Sequence, residues 1–223
     1  MTPAVAAGGP GGHGAGAQAR PESRGERKER TRRAIIEAAL TLCEDSSLVA
    51  LSLRAVAKEV GIVPTAFYRH FDSIEDLGLV LVEDSFASLR AMLRDVRATD
   101  PQFRDIIDQS VSVLVEHTRE RHAHFEFISR ERRAGPPAVR EAIGHQIELV
   151  ERELATDLAR LVPPSWTGED LRVLSNLIVT LMVGITEALL SAAPSEETEV
   201  ADRARTQLRM LLVGGLQWRS RAD

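Results

Sequence analysis

Polar and basic side chains are grouped within residues 52–71, SLRAVAKEVGIVPTAFYRHF, in a pattern suited to contact with DNA. Arg69 has the planar guanidinium that grips guanine through two hydrogen bonds. Thr65 and His70 bring further polar groups toward base edges or phosphates, and Ala66 offers a methyl group that can contact the methyl of thymine. These residue types, at this spacing, predict a surface that reads DNA.

Two short helices joined by a turn must position these side chains. Ser52 is a suitable N-cap for the first helix, and Gly61 can end it by adopting a left-handed conformation. The second helix is expected over residues 64–70, because proline is well tolerated in a first helical turn. Phe67 and Phe71 are spaced to anchor this short helix through the core, since it is too short to be stable alone.

Such a pair of helices is a helix-turn-helix, in which the second helix enters the major groove and the first crosses the phosphate backbone. Ser52 and Arg54 of the first helix would then lie beside phosphates. Tyr68 of the second helix suits a phosphate too, because its hydroxyl donates from a rigid ring without carrying charge. The alternative is an ordinary pair of packed helices with a charged surface, and spacing alone leaves it open.

Residues 30–81 resemble the DNA-binding domain of the TetR family of bacterial transcription regulators. The resemblance rests on RRAIIEAAL, SLRAVAKEVG and YRHF, while GIVPTAFYRHF followed by EDLGLVLVE is similar to the FabR-type and DesT-type repressors of unsaturated-fatty-acid synthesis genes. It continues through FISRERRAG, EALLSAA and QLRMLLVGG, and so spans residues 27–219. It implies an all-α fold, with an N-terminal three-helix DNA-binding domain containing the helix-turn-helix and a C-terminal helical domain for ligand binding and dimerisation.

Two positions depart from the broader pattern of that family. Val63 stands where many relatives have a capping serine, and Ile74 stands where a lysine that grips phosphate is common. Without that lysine, backbone N–H groups at the start of the next helix would have to bind the phosphate, with Ser73 as the N-cap. No charged contact is therefore expected at residue 74.

The charge of the chain is divided unevenly along its length. The net charge is -5, yet residues 20–71 hold ten Lys and Arg against seven Asp and Glu. A basic head would be drawn to phosphates and an acidic body kept away from them. With 223 residues, 43% of them hydrophobic and 27% charged, the chain has the composition of a globular protein with one or two domains.

The N-terminal segment differs from the rest of the chain. Residues 1–19 are dominated by Gly and Ala and carry no charged side chain, so they are expected to be disordered. Residues 20–33, RPESRGERKERTRR, predict a basic arm that follows phosphates or enters the minor groove, with Arg30 and Arg32 as the main contacts. Solvated surface is the alternative. The predicted boundaries are residues 1–26 for the tail and arm, 27–72 for the DNA-binding domain and 73–223 for the effector and dimerisation domain.

The body reads as successive helices broken near Arg121 and at proline-containing segments, with a long fourth helix over residues 73–97 as the lever between head and body. In the penultimate helix, small residues recur every four positions and would let another helix approach closely: Thr180, Gly184, Ala188 and Ala192. The alternative is internal packing. The resemblance favours a homodimer through the last two helices, with Leu208 and Leu212 in the interface, and a twofold dimer would select a palindromic operator in double-stranded DNA.

Membrane insertion is not expected. The most apolar run, residues 173–185, is too short for a span and contains Asn176. No secretory signal is recognised at the N-terminus, so a cytoplasmic location is expected.

The resemblance also implies an apolar tunnel in the body that accepts the fatty acyl chain of a long-chain acyl-CoA or acyl carrier protein thioester. The candidate lining residues are Leu114, Phe125, Phe127, Ile143, Ile147, Leu177 and Leu181. Arg130, Arg132 and Arg133 would meet the phosphates of the head group. The alternatives are that these residues are core, or that the cavity takes an unrelated drug or metabolite, and the sequence leaves open whether the ligand induces or co-represses.

An enzyme is the rival class, but the sequence lacks a glycine-rich phosphate loop, a nucleophile elbow and paired cysteines, and no cofactor is expected. The nearest approach to a metal site is a set of His117, Glu120 and His124, which would share one helix face if no break intervened. His122 lies between them in sequence. The expected break near Arg121 favours ordinary surface or core histidines instead.

Overall fold

The computed structural model describes residues 23–98, 105–160 and 166–219 of the chain. The predicted disordered tail, residues 1–19, lies outside them. The described residues fold entirely as α-helices connected by turns, which confirms the all-α prediction. The helices are α1 Arg24–Asp45, α2 Leu53–Val60, α3 Pro64–Phe67, α4 Ile74–Ala98, α5 Ile106–Glu120, α6 His122–Ala134, α7 Pro137–Leu158, α8 Gly168–Ser191 and α9 Glu197–Leu216.

The helix ends of the head form as the local sequence predicts. The hydroxyl oxygen of Ser52 accepts a hydrogen bond from the backbone N–H of Ala55, so Ser52 is the N-cap of α2. Gly61 ends the same helix with φ of 73°, in the left-handed region. Val63 precedes α3 without a side-chain cap, and the helix starts instead on the fixed backbone of Pro64.

Two expectations about helix length are wrong. The second helix of the pair was expected over residues 64–70, but α3 ends at Phe67 and the next three residues form tight turns. A basic arm was expected up to residue 33, but α1 begins at Arg24. Ser23 and Glu26 cap each other's backbone N–H groups at that point, which lets the helix start within the charged segment.

A first hydrophobic core holds the head against α4, α6 and α7. Phe67 and Phe71 enter it from the helix-turn-helix, with ring centroids 5.6 Å apart. Phe127 of α6 and Ile143 of α7 are completely buried in the same core. The prediction that these two residues line a ligand site is therefore wrong, because they hold the head to the body. Cys43 is also buried in this core, and burial with the nearby Glu131 raises the pKa of its thiol to about 12.

A second core fills the far part of the body. It is built mainly from α5, α8 and α9, and Leu114, Phe125 and Leu208 are among its buried members. Leu208 was expected in a dimer interface, but it points into its own protomer. The buried faces of these helices leave one side of α8 and α9 uncovered, which is described below.

By length and composition, α8 is a helix that could cross a membrane. The expectation that its apolar run is too short considered only part of this 24-residue helix. One such helix is weak evidence, since core helices of globular proteins meet the same criteria. Here α8 packs on α7 and α9.

Candidate DNA-reading surface and ligand cavity

The solvent-facing side of α3 and the turns that follow it carries most of the predicted DNA-reading residues. Thr65 and Arg69 are exposed, Ala66 is half-buried, and 60% of the surface of Tyr68 is accessible. Phe67, between Ala66 and Tyr68, is completely buried, and the Tyr68 ring meets its ring edge-on at 6.0 Å. Burial of one aromatic side chain thus fixes the direction in which its polar neighbours project.

Positions flanking α3 extend the same surface. Ser52 and Arg54 are exposed at the start of α2, where a helix lying across a phosphate backbone would present them. Ser73 is the N-cap of α4, and its hydroxyl oxygen accepts from the N–H of Asp76 at 3.0 Å. Ile74 is half-buried against the first core. Ile74 therefore contributes to packing and offers no charged group to a phosphate.

The start of α4 is less suited to a phosphate than expected. Its first turn carries Glu75 and Asp76. The carboxylate of Asp76 already accepts from the backbone N–H of Asp72, so N–H groups at this end are partly occupied within the chain. Negative charge at a helix N-terminus stabilises the helix, but it repels a second anion.

Arg32 and His70 are placed differently from the prediction. Arg32 lies in α1, where its guanidinium donates to the backbone carbonyl of His70 at 2.9 Å and stacks over the ring of Phe71, 4.4 Å from its centroid. It therefore joins α1 to the end of the reading segment instead of extending as an arm. Arg30 is exposed and also lies inside α1.

A polar cleft that sequence reasoning missed lies between the first turns of α1 and the end of the reading segment. It is lined by Gly25, Lys28, Glu29, Arg32, Arg69 and His70. Burial lowers the pKa of His70, and the nearby charges of Lys28, Arg32 and Arg69 lower it further, against an opposing effect of Glu29. The basic composition of residues 20–33 was the available signal for this cleft. The sequence alone does not show that Lys28 and Arg69 line it together, because that depends on how the head folds.

The body contains an apolar cavity of about 360 Å³. Walls come from every helix of the body, α4 to α9, and three of the candidate ligand residues lie on them: Leu114, Phe125 and Ile147. Leu177 is half-exposed on the outside of α8, and Leu181 packs against the second core, so neither was correctly assigned to the lining. Sequence reasoning missed most of the wall, including Trp166, Ile178, Val183 and Leu212.

Polar groups on the cavity wall are few. Arg132 of α6 and Glu187 of α8 both reach the lining and form an ion pair of 2.9 Å. Arg133 pairs with the same carboxylate from outside, also at 2.9 Å. Two guanidinium groups therefore share one carboxylate at this place.

Arg130 was expected beside the ligand, and it is not there. Its guanidinium donates to the backbone carbonyls of Cys43, Glu44 and Ser46 at the end of α1, at distances of 2.6, 2.8 and 3.1 Å. A helix C-terminus leaves carbonyls without partners, and a cation is favoured there. Arg130 thus caps α1.

The geometry agrees with a sequence comparison to protein families. Residues 35–79 match the family model described as bacterial regulatory proteins, tetR family. The match covers α2 and α3 entirely, with the parts of α1 and α4 that pack on them. The helix-turn-helix of this chain therefore lies within a segment that matches the tetR family.

Solved structures share this fold over most of the chain. A transcriptional regulator from Pseudomonas aeruginosa PAO1 is 15% identical with a TM-score of 0.68, over 85% of this chain and 93% of that one. The fatty acid degradation regulator FadR from Bacillus halodurans is 14% identical with a TM-score of 0.62, over 85% and 97%. The multidrug binding protein EbrR, complexed with imidazole, is 24% identical with a TM-score of 0.60, over 83% and 92%. At these identities the likeness concerns the fold.

The outer side of the last two helices, α8 and α9, is largely apolar and exposed. Thr180, Gly184 and Ala188 are exposed on α8, in line with the half-exposed Leu177, while Ala192 is half-buried at the end of the helix. Neighbouring positions of α9 add further exposed apolar surface, with 71% of Met210 and 54% of Val213 accessible. Leu212 faces the cavity instead.

The histidines near Arg121 do not form the site that the enzyme alternative required. His117 and Glu120 belong to α5, whereas His124 belongs to α6 beyond the break at Arg121. The Nδ1 atom of His124 lies 3.1 Å from the hydroxyl of Ser85, and burial lowers the pKa of this histidine. Among the described residues, no group of three or more His, Cys, Asp or Glu side chains is placed to hold a metal ion.

Proposed function

We propose that the protein is a cytoplasmic, homodimeric repressor of fatty-acid or lipid genes, and that a long-chain acyl thioester in the body cavity controls its binding to a palindromic operator. The main observation that supports this proposal is the cavity in the body. It is apolar, has the size of a small-molecule site, and meets charged side chains at the Arg132–Glu187 pair and at Asp157. An amphiphile with one long apolar part and one anionic part fits that distribution.

The acyl chain would lie against the aliphatic and aromatic walls, where it is removed from water. Arg132 and Arg133 hold one more positive charge than Glu187 neutralises. The phosphates of coenzyme A, or of the prosthetic arm of acyl carrier protein, would complete this pairing through charge-assisted hydrogen bonds. The FadR neighbour, named for fatty acid degradation, agrees with this ligand class but does not establish it.

A TetR-type repressor that binds an unrelated apolar compound is the second candidate. It is favoured by the scarcity of polar groups in the cavity, because a mainly apolar wall selects by size more than by chemistry. The neighbour EbrR is named as a multidrug binding protein.

In the proposed operator complex, the surface built by Thr65, Tyr68 and Arg69 enters the major groove and Ser52 and Arg54 lie beside phosphates. Dimerisation would use the uncovered side of α8 and α9, with Thr180, Gly184 and Ala188 permitting close approach. Two reading segments related by a twofold axis would then meet successive major grooves. Residues 27–72 would form the reading head and residues 73–223 the body.

The test is an electrophoretic shift of the purified protein on DNA flanking its own gene, at fixed salt, with saturated and unsaturated long-chain acyl-CoA titrated in. A specific shift that one acyl-CoA alters supports the proposal. If the shift is specific but indifferent to acyl-CoA, the second candidate replaces the first. If no flanking fragment shifts, operator binding at this locus is refuted.

Single substitutions separate the two surfaces. Tyr68→Phe should weaken binding to all sequences, and Arg69→Ala should also relax the base preference. Arg132→Gln should leave operator affinity unchanged but weaken the response to acyl-CoA. Arg152→Gln is the matched control, because Arg152 is an exposed arginine paired with Glu148 on the outside of α7.

A further inference from the structure

Helix α6 faces the cavity and the DNA-reading head with neighbouring side chains. Ser129 and Arg132 line the cavity. Arg130 and Glu131, between them in the chain, contact the head. Because a helical backbone is stiff over this length, a displacement of the cavity-facing residues moves the head-facing residues with them.

Arg130 supplies a cap that α1 lacks in its own sequence. No basic residue lies in the last turn of α1. The guanidinium of Arg130 donates to three carbonyls at this end, and its orientation is set by Glu126, whose carboxylate lies 2.6 Å away on the preceding turn of α6. The end of the first helix of the head is thus held by a side chain of the body.

Glu131 makes a second link to the head, at Leu48 in the loop between α1 and α2. Its side chain is completely buried, and one carboxyl oxygen accepts from the backbone N–H of Leu48 at 2.8 Å. The other oxygen is buried without a hydrogen-bond partner among the described residues. Removing a carboxyl group from water costs free energy, and the single N–H donor offsets only part of that cost.

Leu48, the residue that Glu131 holds, also touches the long helix α4. Its side chain fills the space above Gly78, where an added methyl group would lie 2.3 Å from a Leu48 methyl and 3.1 Å from Val139 of α7. Leu48 is 1% exposed. The loop between α1 and α2 is therefore fixed to α4 and α6 at one residue.

We propose that Arg130 and Glu131 form a clasp that positions the DNA-reading head on the body and transmits the occupancy of the cavity to it. The clasp joins α6 to the end of α1 and to Leu48, and these segments precede the helix-turn-helix directly. The proposal rests on the cavity being the effector site, but not on the identity of the effector.

The test fills the cavity by substitution, so that no ligand is needed. Val183→Phe from α8 and Val150→Phe from α7 each add an aromatic ring to a wall remote from the head. Each is combined with Arg130→Met, which removes the cap. Glu131→Met is the second clasp variant, and Glu131→Gln is the conservative one, because its amide oxygen can still accept from Leu48.

Two readouts are used for every variant: the affinity for the flanking DNA fragment that the wild type shifts most tightly, and the hydrogen exchange of the Leu48 amide. In the wild-type background we expect cavity filling to change operator affinity about fivefold or more, and to change exchange at Leu48. With Arg130→Met or Glu131→Met the same filling should change affinity less than about twofold. Glu131→Gln should restore the response.

Additive effects, with the same fold-change in both backgrounds, would show that the clasp only stabilises the fold and would overturn the proposal. An unchanged affinity and unchanged Leu48 exchange on filling the wild-type cavity would overturn it as well. If the wild type shifts no DNA, operator binding as proposed above fails, and exchange at Leu48 decides the clasp separately. If instead acyl-CoA alone has no effect, only the proposed ligand class fails.

Discussion

Alanine substitution at Gly78 provides a direct test of how tightly the head is fixed to α4. Gly78 lies inside α4, where alanine would by itself favour the helix by about 1 kcal/mol. The added methyl would meet the Leu48 side chain at 2.3 Å, however, and Leu48 is buried and has little room to move. Overpacking of this kind costs about 1–3 kcal/mol.

Gly144 is the matched control. It lies inside α7, is exposed, and has nothing within 4 Å of the position that a methyl would take. Gly144→Ala should therefore raise the free energy of unfolding by up to about 1 kcal/mol. Gly78→Ala receives the same gain and the overpacking cost, so the two variants should differ by about 1–3 kcal/mol.

The assay is urea unfolding of both variants and the wild type at one protein concentration, with thermal unfolding as a check. For a chain of this size the difference corresponds to a gap in Tm of roughly 2–12 °C. If Gly78→Ala proves as stable as Gly144→Ala, Leu48 can move aside easily. The close contact of Leu48 with α4 would then not fix the head.

Three further outcomes follow from the structure. Gly61→Ala should lower the free energy of unfolding by about 1–2 kcal/mol, because the backbone φ of 73° is unfavourable for a residue with a side chain, even though space for a methyl group is open. Urea unfolding measures this, and an unchanged midpoint would contradict it. Burial raises the pKa of Glu131 against the opposing effects of the Leu48 N–H and Arg130, so the folded state holds a proton that the unfolded state releases. The contribution of Glu131 to stability should therefore fall as pH rises above about 4.5. Glu131→Gln removes this loss, so urea midpoints at pH 5 and pH 8 should differ less in the variant than in the wild type, and equal differences would refute the buried ionisation. If a partner helix packs on Gly184, Gly184→Leu should raise the dimer Kd roughly 5- to 150-fold in sedimentation experiments. Gly144→Leu is the control and should leave the Kd unchanged. Equal dissociation constants for the two variants would place the interface elsewhere.

Local sequence determined the helix-turn-helix because its signals act over a few residues. Ser52, Gly61 and Pro64 fix helix ends through backbone geometry and nearby hydrogen bonds, which do not depend on the rest of the chain. The spacing of Phe67 and Phe71 likewise showed which side of the reading segment is buried. Because the side with the two phenylalanines faces the core, Thr65, Tyr68 and Arg69 on the opposite side are exposed.

Tertiary structure alone decided the partners of side chains whose types suit several roles. Arg130 and Arg132 are both arginines on one helix, yet a rotation of two positions along α6 sends one to the carbonyls of α1 and the other to the cavity. Phe125 and Phe127 are divided in the same way between the cavity and the first core. A sequence pattern gives the side of a helix that is apolar. Which helix covers it depends on packing between segments 55 to 87 residues apart, and a single sequence does not record that pairing.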